Sequence, residues 1–302
     1  MRQLKTFGPL FIIAAAFLWS LDGFLRQNLF SLPATVIVFL EHFLGFILMV
    51  PLLFLGWKEI RKLDKATWLA VGWVVLLGGV LGTTLFTKAL GYTNFISLSV
   101  VILLQKLQPV FAILLAYIVL KERLPKNFYA WAGLALAGGY LVTFPGLLPN
   151  LATGSQTGLA ALLAVGAAFA WGSSTVFGKR SLQNLDFKTL TVLRFGLTSV
   201  VMGIIILSNG SSAAIQDVTL IQWRYLLGIV FSTGAVALFL YYYGLKMVKA
   251  SVSTICELFW PVSAVFLDLF FRGTLLAPTQ WLGAFVLLFA IYRVSAIQSK
   301  LA

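Results

Sequence analysis

The segment "AAAFLW", Ala14–Trp19, returns in the second half of the chain as "GAAFAW", Gly166–Trp171, with four of six residues identical at a shift of 152 positions. The same shift carries Phe43 of "EHFLG" onto Phe195 of "LRFGL", and Pro109 of "QKLQP" onto Pro261 of "ELFWP". Each match alone is weak. One register linking three separated places argues for a duplicated unit.

What is duplicated follows from the surroundings. Of 302 residues, 60% are hydrophobic and 10% charged, against about 25% charged in an ordinary soluble domain. Apolar runs able to cross a hydrocarbon core of ~30 Å, which takes about 20 residues, recur at 8–25, 34–56, 68–88, 95–120, 128–144, 159–177, 190–207, 225–245, 252–271 and 278–297. The pattern predicts an all-α integral membrane protein of ten transmembrane helices, five to each copy. Because five is odd, the second copy starts on the opposite side of the bilayer, and the halves are inverted repeats. Secondary transporters use that arrangement, rocking two copies around a central site. The expected organisation is a single membrane domain with its first repeat over 1–145, an extracytoplasmic linker over 146–157 and the second repeat over 158–302. The longest connections, Pro145–Thr157 and Ser208–Trp223, are polar loops. Function must therefore sit within the helices.

The first run follows Arg2 and Lys5 like a signal peptide, but no small-residue cleavage site follows it, so it reads as a retained helix. The single cysteine, Cys256, falls in the ninth span; an internal disulfide is impossible and a metal cluster lacks ligands. No cofactor is expected. The net charge of +13 is informative through its distribution. With the N-terminus cytoplasmic, sixteen Lys and Arg residues lie on that side, against Arg26, Arg224 and Arg272 opposite and Lys88 near that edge. This is a positive-inside bias. It predicts a multi-pass inner (plasma) membrane protein with both termini cytoplasmic, whose basic patches set topology and touch the lipid bilayer rather than nucleic acid.

The ten spans, the "FxW" in helices 1 and 6, the proline in helices 4 and 9 and the "LKERLP" at Leu120–Pro125 together resemble the EamA-type carriers of the drug/metabolite transporter superfamily. The likeness covers nearly the whole chain and implies a carrier of small metabolites, without singling out a substrate. Two places depart from the family pattern. Arg194 stands where an arginine is usual in helix 7, but the matching place in helix 2 is His42. The closing "KER" of helix 4 has "RGT", Arg272–Thr274, as its counterpart after helix 9.

Ionisable groups inside spans cost at least ~2.5–3.5 kcal/mol at mid-helix on insertion scales and face the bundle interior by default. Lys88 is close enough to a helix end to snorkel, and Arg194 could do the same. Asp22 and Asp268 have Arg26 and Arg272 four residues on, a spacing that pairs side chains on a helix. Lys106 is different: it lies near the middle of helix 4, flanked by Gln105 and Gln108 and followed by Pro109. Proline removes a backbone donor and loosens the helix, freeing a carbonyl and allowing a bend. Helix 9 repeats the pattern with Glu257, Trp260 and Pro261. These residues, with Trp19, Trp171 and Tyr241 as an aromatic wall, are the expected substrate-binding set, and Pro109 and Pro261 are the expected helix hinges.

Glu41 and His42 lie side by side in the second span. A buried acid and imidazole suit proton loading at ordinary pH, which makes proton coupling one reading. The other is a packing hydrogen bond, or an ion pair from Glu41 to Lys106. The glycines of "LLGGVLGTT", Leu76–Thr84, and "LAGGY", Leu136–Tyr140, are expected to let helices approach closely.

An acid and a base in one aromatic-walled cavity fit a zwitterion. The sequence therefore reads as a secondary transporter, not an enzyme, that exports small organic solutes, amino acids or related metabolites, by alternating access. A sugar-phosphate or nucleotide-sugar exchanger of the same fold would converge more basic residues on its cavity. A lipid-handling intramembrane enzyme would need a metal or nucleophile cluster, which one histidine and one cysteine on different helices do not supply.

Overall fold

A computed structural model describes residues 7–92, 100–149 and 155–301. Arg2 and Lys5, the start of the fourth apolar run and residues 150–154 of the linker lie outside these residues, and so does the side chain of Arg272, so the expected Asp268–Arg272 pair is not among the described contacts. The protein is all-helical over the described residues. We label its long helices α1 (Gly8–Leu29), α2 (Ala34–Ile60), α3 (Lys65–Tyr92), α4 (Val101–Val119), α5 (Lys126–Thr143), α6 (Thr157–Ser181), α7 (Phe187–Ser208), α8 (Leu220–Met247), α9 (Ala250–Phe271) and α10 (Pro278–Lys300). Among the described residues, nine of these are long and apolar enough to cross a membrane. The other, α5, stands where a span was expected; it is 18 residues long, opens on Lys126 and Asn127 and carries two glycines in its last turns. The count of ten crossings therefore rests on α5 and its packing.

Local sequence sets the helix ends. Pro33 and Pro125 stand immediately before α2 and α5, where their missing N–H costs nothing. Asp64 caps α3 by accepting from Thr67 N at 2.9 Å, and Asp186 caps α7 by accepting from Lys188 N at 3.1 Å. Thr219 and Gln222 close a reciprocal capping box at the start of α8, satisfying orphan donors at both positions.

The helices pack in pairs that the repeat exchanges. α1 packs on α8 and its counterpart α6 on α3, while α2 packs on α7, α4 on α9 and α5 on α10. Glycine permits the closest of these approaches. A Cβ on Gly138 would sit 2.8 Å from the amide nitrogen of Leu287, and one on Gly283 would sit 2.7 Å from that of Val142, so α5 and α10 touch backbone to backbone. Gly78, Gly79 and Gly82 do the same work on α3, facing Ser174, Thr198 and Trp171. Both glycine runs thus serve packing, as small residues do in bilayers. Outward, Phe54, Leu55, Phe270, Phe271 and Phe285 are largely exposed, the lipid-facing surface of a bundle whose backbone groups are satisfied internally.

Two irregularities recur in both halves. α3 winds as a π-helix over Val74–Gly82, and its counterpart α8 does so over Val230–Gly234. α4 breaks at 106–107 and α9 at 257–258. The breaks follow from the prolines. Pro109 cannot donate to Gln105 O, nor Pro261 to Glu257 O, four residues earlier. The turns before them tighten: Lys106 N donates to Leu103 O at 3.0 Å, and Trp260 N takes Glu257 O at 3.0 Å. Gln105 and Glu257 are themselves related by the repeat shift of 152. The irregular backbone thus carries a polar side chain at the corresponding place in each half.

Candidate transport site

The two broken helices bring most of the expected binding residues together. Glu257 is the centre. Its Oε2 accepts from Gln108 Nε2 at 2.8 Å, and its Oε1 accepts from Tyr241 Oη at 3.0 Å and Ser253 Oγ at 3.0 Å. Gln105 Nε2 donates in turn to Gln108 Oε1 at 3.2 Å, and Thr175 Oγ1 lies 2.8 Å from Tyr241 Oη. The network ties α4, α6, α8 and α9 into one polar patch across the two repeats.

An aromatic wall adjoins it. The Trp19 and Tyr241 rings lie 5.2 Å apart, and Trp260 Nε1 donates to Trp19 O at 3.2 Å. Lys106 Nζ stands 5.2 Å over the Trp260 ring, a cation–π contact of about 0.5–2 kcal/mol depending on desolvation. Among the described residues no carboxylate pairs with Lys106. Gln105, Lys106, Gln108, Glu257, Trp19 and Trp260 are each partly exposed, so the patch is not sealed in the packed core. Two separate small cavities, of 340 and 420 Å³, lie at helix ends by Lys88 and by Glu59 and include none of these residues.

Trp171 does not join this wall. Its Nε1 donates to Gly78 O at 3.1 Å and its ring tilts against Phe86 at 5.0 Å. Gly78 O also accepts from Arg194 Nη2 at 3.0 Å. It lies in the π-helical stretch, whose wider turns free carbonyls from the regular ladder. Arg194 Nη1 donates to Tyr242 Oη at 2.9 Å, so this arginine is held in the interior and does not snorkel. Lys88, by contrast, is exposed.

Glu41 and His42 lie elsewhere, in a second polar cluster that sequence reasoning only half saw. Arg26 Nη2 donates to Glu41 Oε2 at 2.8 Å while Arg26 Nε and Nη2 grip Asp22 at 2.6 and 3.1 Å. Asp22 Oδ1 also accepts from Thr233 Oγ1 at 2.9 Å, which joins α1 to α8. The expected Asp22–Arg26 pair is present. The alternative of a Glu41–Lys106 pair is corrected: Arg26, itself buried, reaches Glu41 first, because one helical turn from Asp22 turns it toward α2. His42 Nδ1 donates to Val38 O at 2.8 Å, lies 3.5 Å from Glu41 Oε1 and packs its ring on Phe195 at 5.2 Å.

Sequence reasoning also missed Glu122 of the "LKERLP" motif. Its carboxylate caps the start of α9, accepting from Ala250 N at 2.8 Å and from Ser251 N and Oγ at 3.1 and 2.7 Å. The signal was a charge directly after an apolar span, which looks the same whether it caps a neighbour or faces water.

The fold and this site define a membrane carrier built from two repeats. Residues 6–144 and 158–296 each match the EamA-like transporter family, and the chain belongs to that family. It is a multi-pass membrane transporter, not an enzyme. The chain is 41% identical over 294 residues to a riboflavin transporter, ImpX, of Fusobacterium nucleatum, covering 96% of this chain and 98% of that one. An uncharacterized transporter of Bacillus subtilis, YwfM, is 26% identical over 192 residues, covering 64% and 62% respectively. A solved crystal structure shares the fold at a TM-score of 0.72 and 14% identity, over 96% of this chain and 98% of that one.

Proposed function

We propose that the chain carries riboflavin, or a flavin with the same ring system, across the plasma membrane by alternating access of its two repeats. The observation that carries this reading is the 41% identity to a riboflavin transporter over 96% of the chain. The site supports it. A flavin is a flat, amphipathic ring bearing a polyhydroxyl chain, and the patch offers aromatic faces from Trp19 and Trp260 beside Lys106 and the open amide oxygen of Gln105, which Gln108 and Glu257 hold in place. The amino-acid reading drew on an acid, Glu41 or Glu257, and a base, Lys106, in one cavity. Glu257 is engaged by three donors and Glu41 by Arg26, so neither acid stands open to the ammonium of a zwitterion.

In this reading Pro109 and Pro261 are the hinges at which α4 and α9 bend as the repeats rock, both termini are cytoplasmic, and the inversion of the repeats follows from five crossings in each. Glu41 is committed to Arg26, and we assign that cluster to holding α1, α2 and α8 together rather than to moving protons. A reporter fused after Gln156 is expected to read extracytoplasmic; a cytoplasmic signal there would break the inverted arrangement. Substrate class is tested by thermal unfolding of the purified protein in detergent with riboflavin, a panel of amino acids and nucleotide sugars. Riboflavin is expected to raise the midpoint alone. A shift with an amino acid and none with riboflavin would return the site to the zwitterion reading.

A further inference from the structure

Glu257 does more than sit in the network: it dictates what the far end of that network presents. In the network both carboxylate oxygens of Glu257 act as acceptors. Gln108 must therefore turn its NH2 toward Glu257 Oε2, 2.8 Å away, which leaves its carbonyl facing Gln105. Gln105 must then offer its own NH2 to Gln108 Oε1 at 3.2 Å. The amide of Gln105 is left with its Oε1 as the free end, and that oxygen is buried with no partner among the described residues. A buried acceptor left open in this way is a cost unless something fills it. The next residue, Lys106, adds a donor, its ammonium standing over Trp260.

We propose, resting on the flavin reading above, that this relay makes Gln105 an obligate acceptor that reads the imide N–H of a flavin ring. The imide edge of a flavin carries an N–H donor between two carbonyl acceptors, and an amide oxygen held open as Gln105 Oε1 is held complements that N–H. Glu257 and Gln108 are then positioning residues: they touch neither the N–H nor the carbonyl but fix the sense of the amide that does. Selectivity falls on ring systems with an unsubstituted imide, while the ribityl chain is read elsewhere.

The test compares riboflavin with 3-methylriboflavin, in which a methyl replaces the imide hydrogen, by quenching of flavin fluorescence on the purified full-length protein. The wild type is expected to bind riboflavin about tenfold more tightly, the contribution of one good hydrogen bond. In Gln105→Met the ratio of the two affinities is expected to fall to about one. Glu257→Gln, whose amide can meet Gln108 with either end, frees Gln105 to turn and is expected to shrink the ratio as well; thermal unfolding checks that both variants are folded. Equal affinity of the wild type for both flavins would overturn the imide assignment while leaving the flavin reading standing. A preference that survives in Gln105→Met would mean that the methyl is excluded by bulk, and overturns it too. Failure of the wild type to bind riboflavin at all would sink both readings together.

Discussion

At the scale of single residues, the two ionisable clusters illustrate how far side-chain chemistry reads through from sequence. Lys106, Glu257 and the glutamines were legible because a charged or amide residue at mid-span, followed by proline, has few explanations other than a polar crevice. Arg26 was not: beside Asp22 at a helix end it looked like a local surface pair, and only the tertiary fold brings α2 alongside so that Glu41 becomes its second partner at 2.8 Å. Removing the arginine leaves two carboxylates in a buried site, and breaking such a pair costs about 3–5 kcal/mol. Arg26→Met is therefore expected to lower the thermal midpoint markedly, and adding Glu41→Gln to recover part of the loss. If the double variant unfolds no later than the single one, Arg26 is not held in place by Glu41. The aromatic set shows the same limit, since Trp19 and Trp171 are equivalent by repeat yet Trp19 faces Tyr241 while Trp171 turns to Gly78 and Phe86. Near-identical hexapeptides do not fix rotamers; the facing helix does.

At the scale of elements, the apolar runs place the helices well, but their irregularities are legible only in part. The breaks in α4 and α9 follow from Pro109 and Pro261. The π-helical turns of α3 and α8 left no mark beyond glycines that equally serve packing. The connections carry their own electrostatics. Asp186, between α6 and α7, is partly buried, which by itself would raise its pKa, yet the hydrogen bond from Lys246 at 2.9 Å, the amide of Lys188 and both lysine charges outweigh this and hold it below the ordinary carboxylate value. A depressed folded-state pKa stabilises the protein above the unfolded-state pKa of about 4, and the gain is lost as pH falls through the folded value. Asp186→Asn keeps the helix cap, because asparagine caps as well as aspartate, and removes only the charge. It is expected to cost under about 1 kcal/mol at neutral pH, as exposed pairs do, and to flatten the fall of the thermal midpoint below about pH 4. An unchanged acid slope would remove Asp186 from the pH response.

At the scale of the whole molecule, the repeat organises everything else. It pairs α1 with α8 as it pairs α6 with α3, gives each half a polar residue, Gln105 or Glu257, beside its helix break, and leaves differences between the halves. The Asp22–Arg26–Glu41 cluster has Ser174, Gly178 and Leu193 as its counterparts, so only one half carries it. The fold class and the transporter role were readable from this repeat together with span composition. The cargo was not, because solute identity depends on which side chains converge across helices far apart in sequence. The central claim is that the two repeats move a flavin past the Gln105–Glu257 patch, and it is tested most directly by uptake of labelled riboflavin into proteoliposomes preloaded with unlabelled riboflavin, with and without an imposed pH gradient. Saturable uptake that depends on the protein and competes with excess riboflavin but not with amino acids is the expected result, and the pH gradient is expected to leave its rate unchanged. Uptake no faster than in protein-free vesicles, while an amino acid is carried under the same conditions, would contradict the account.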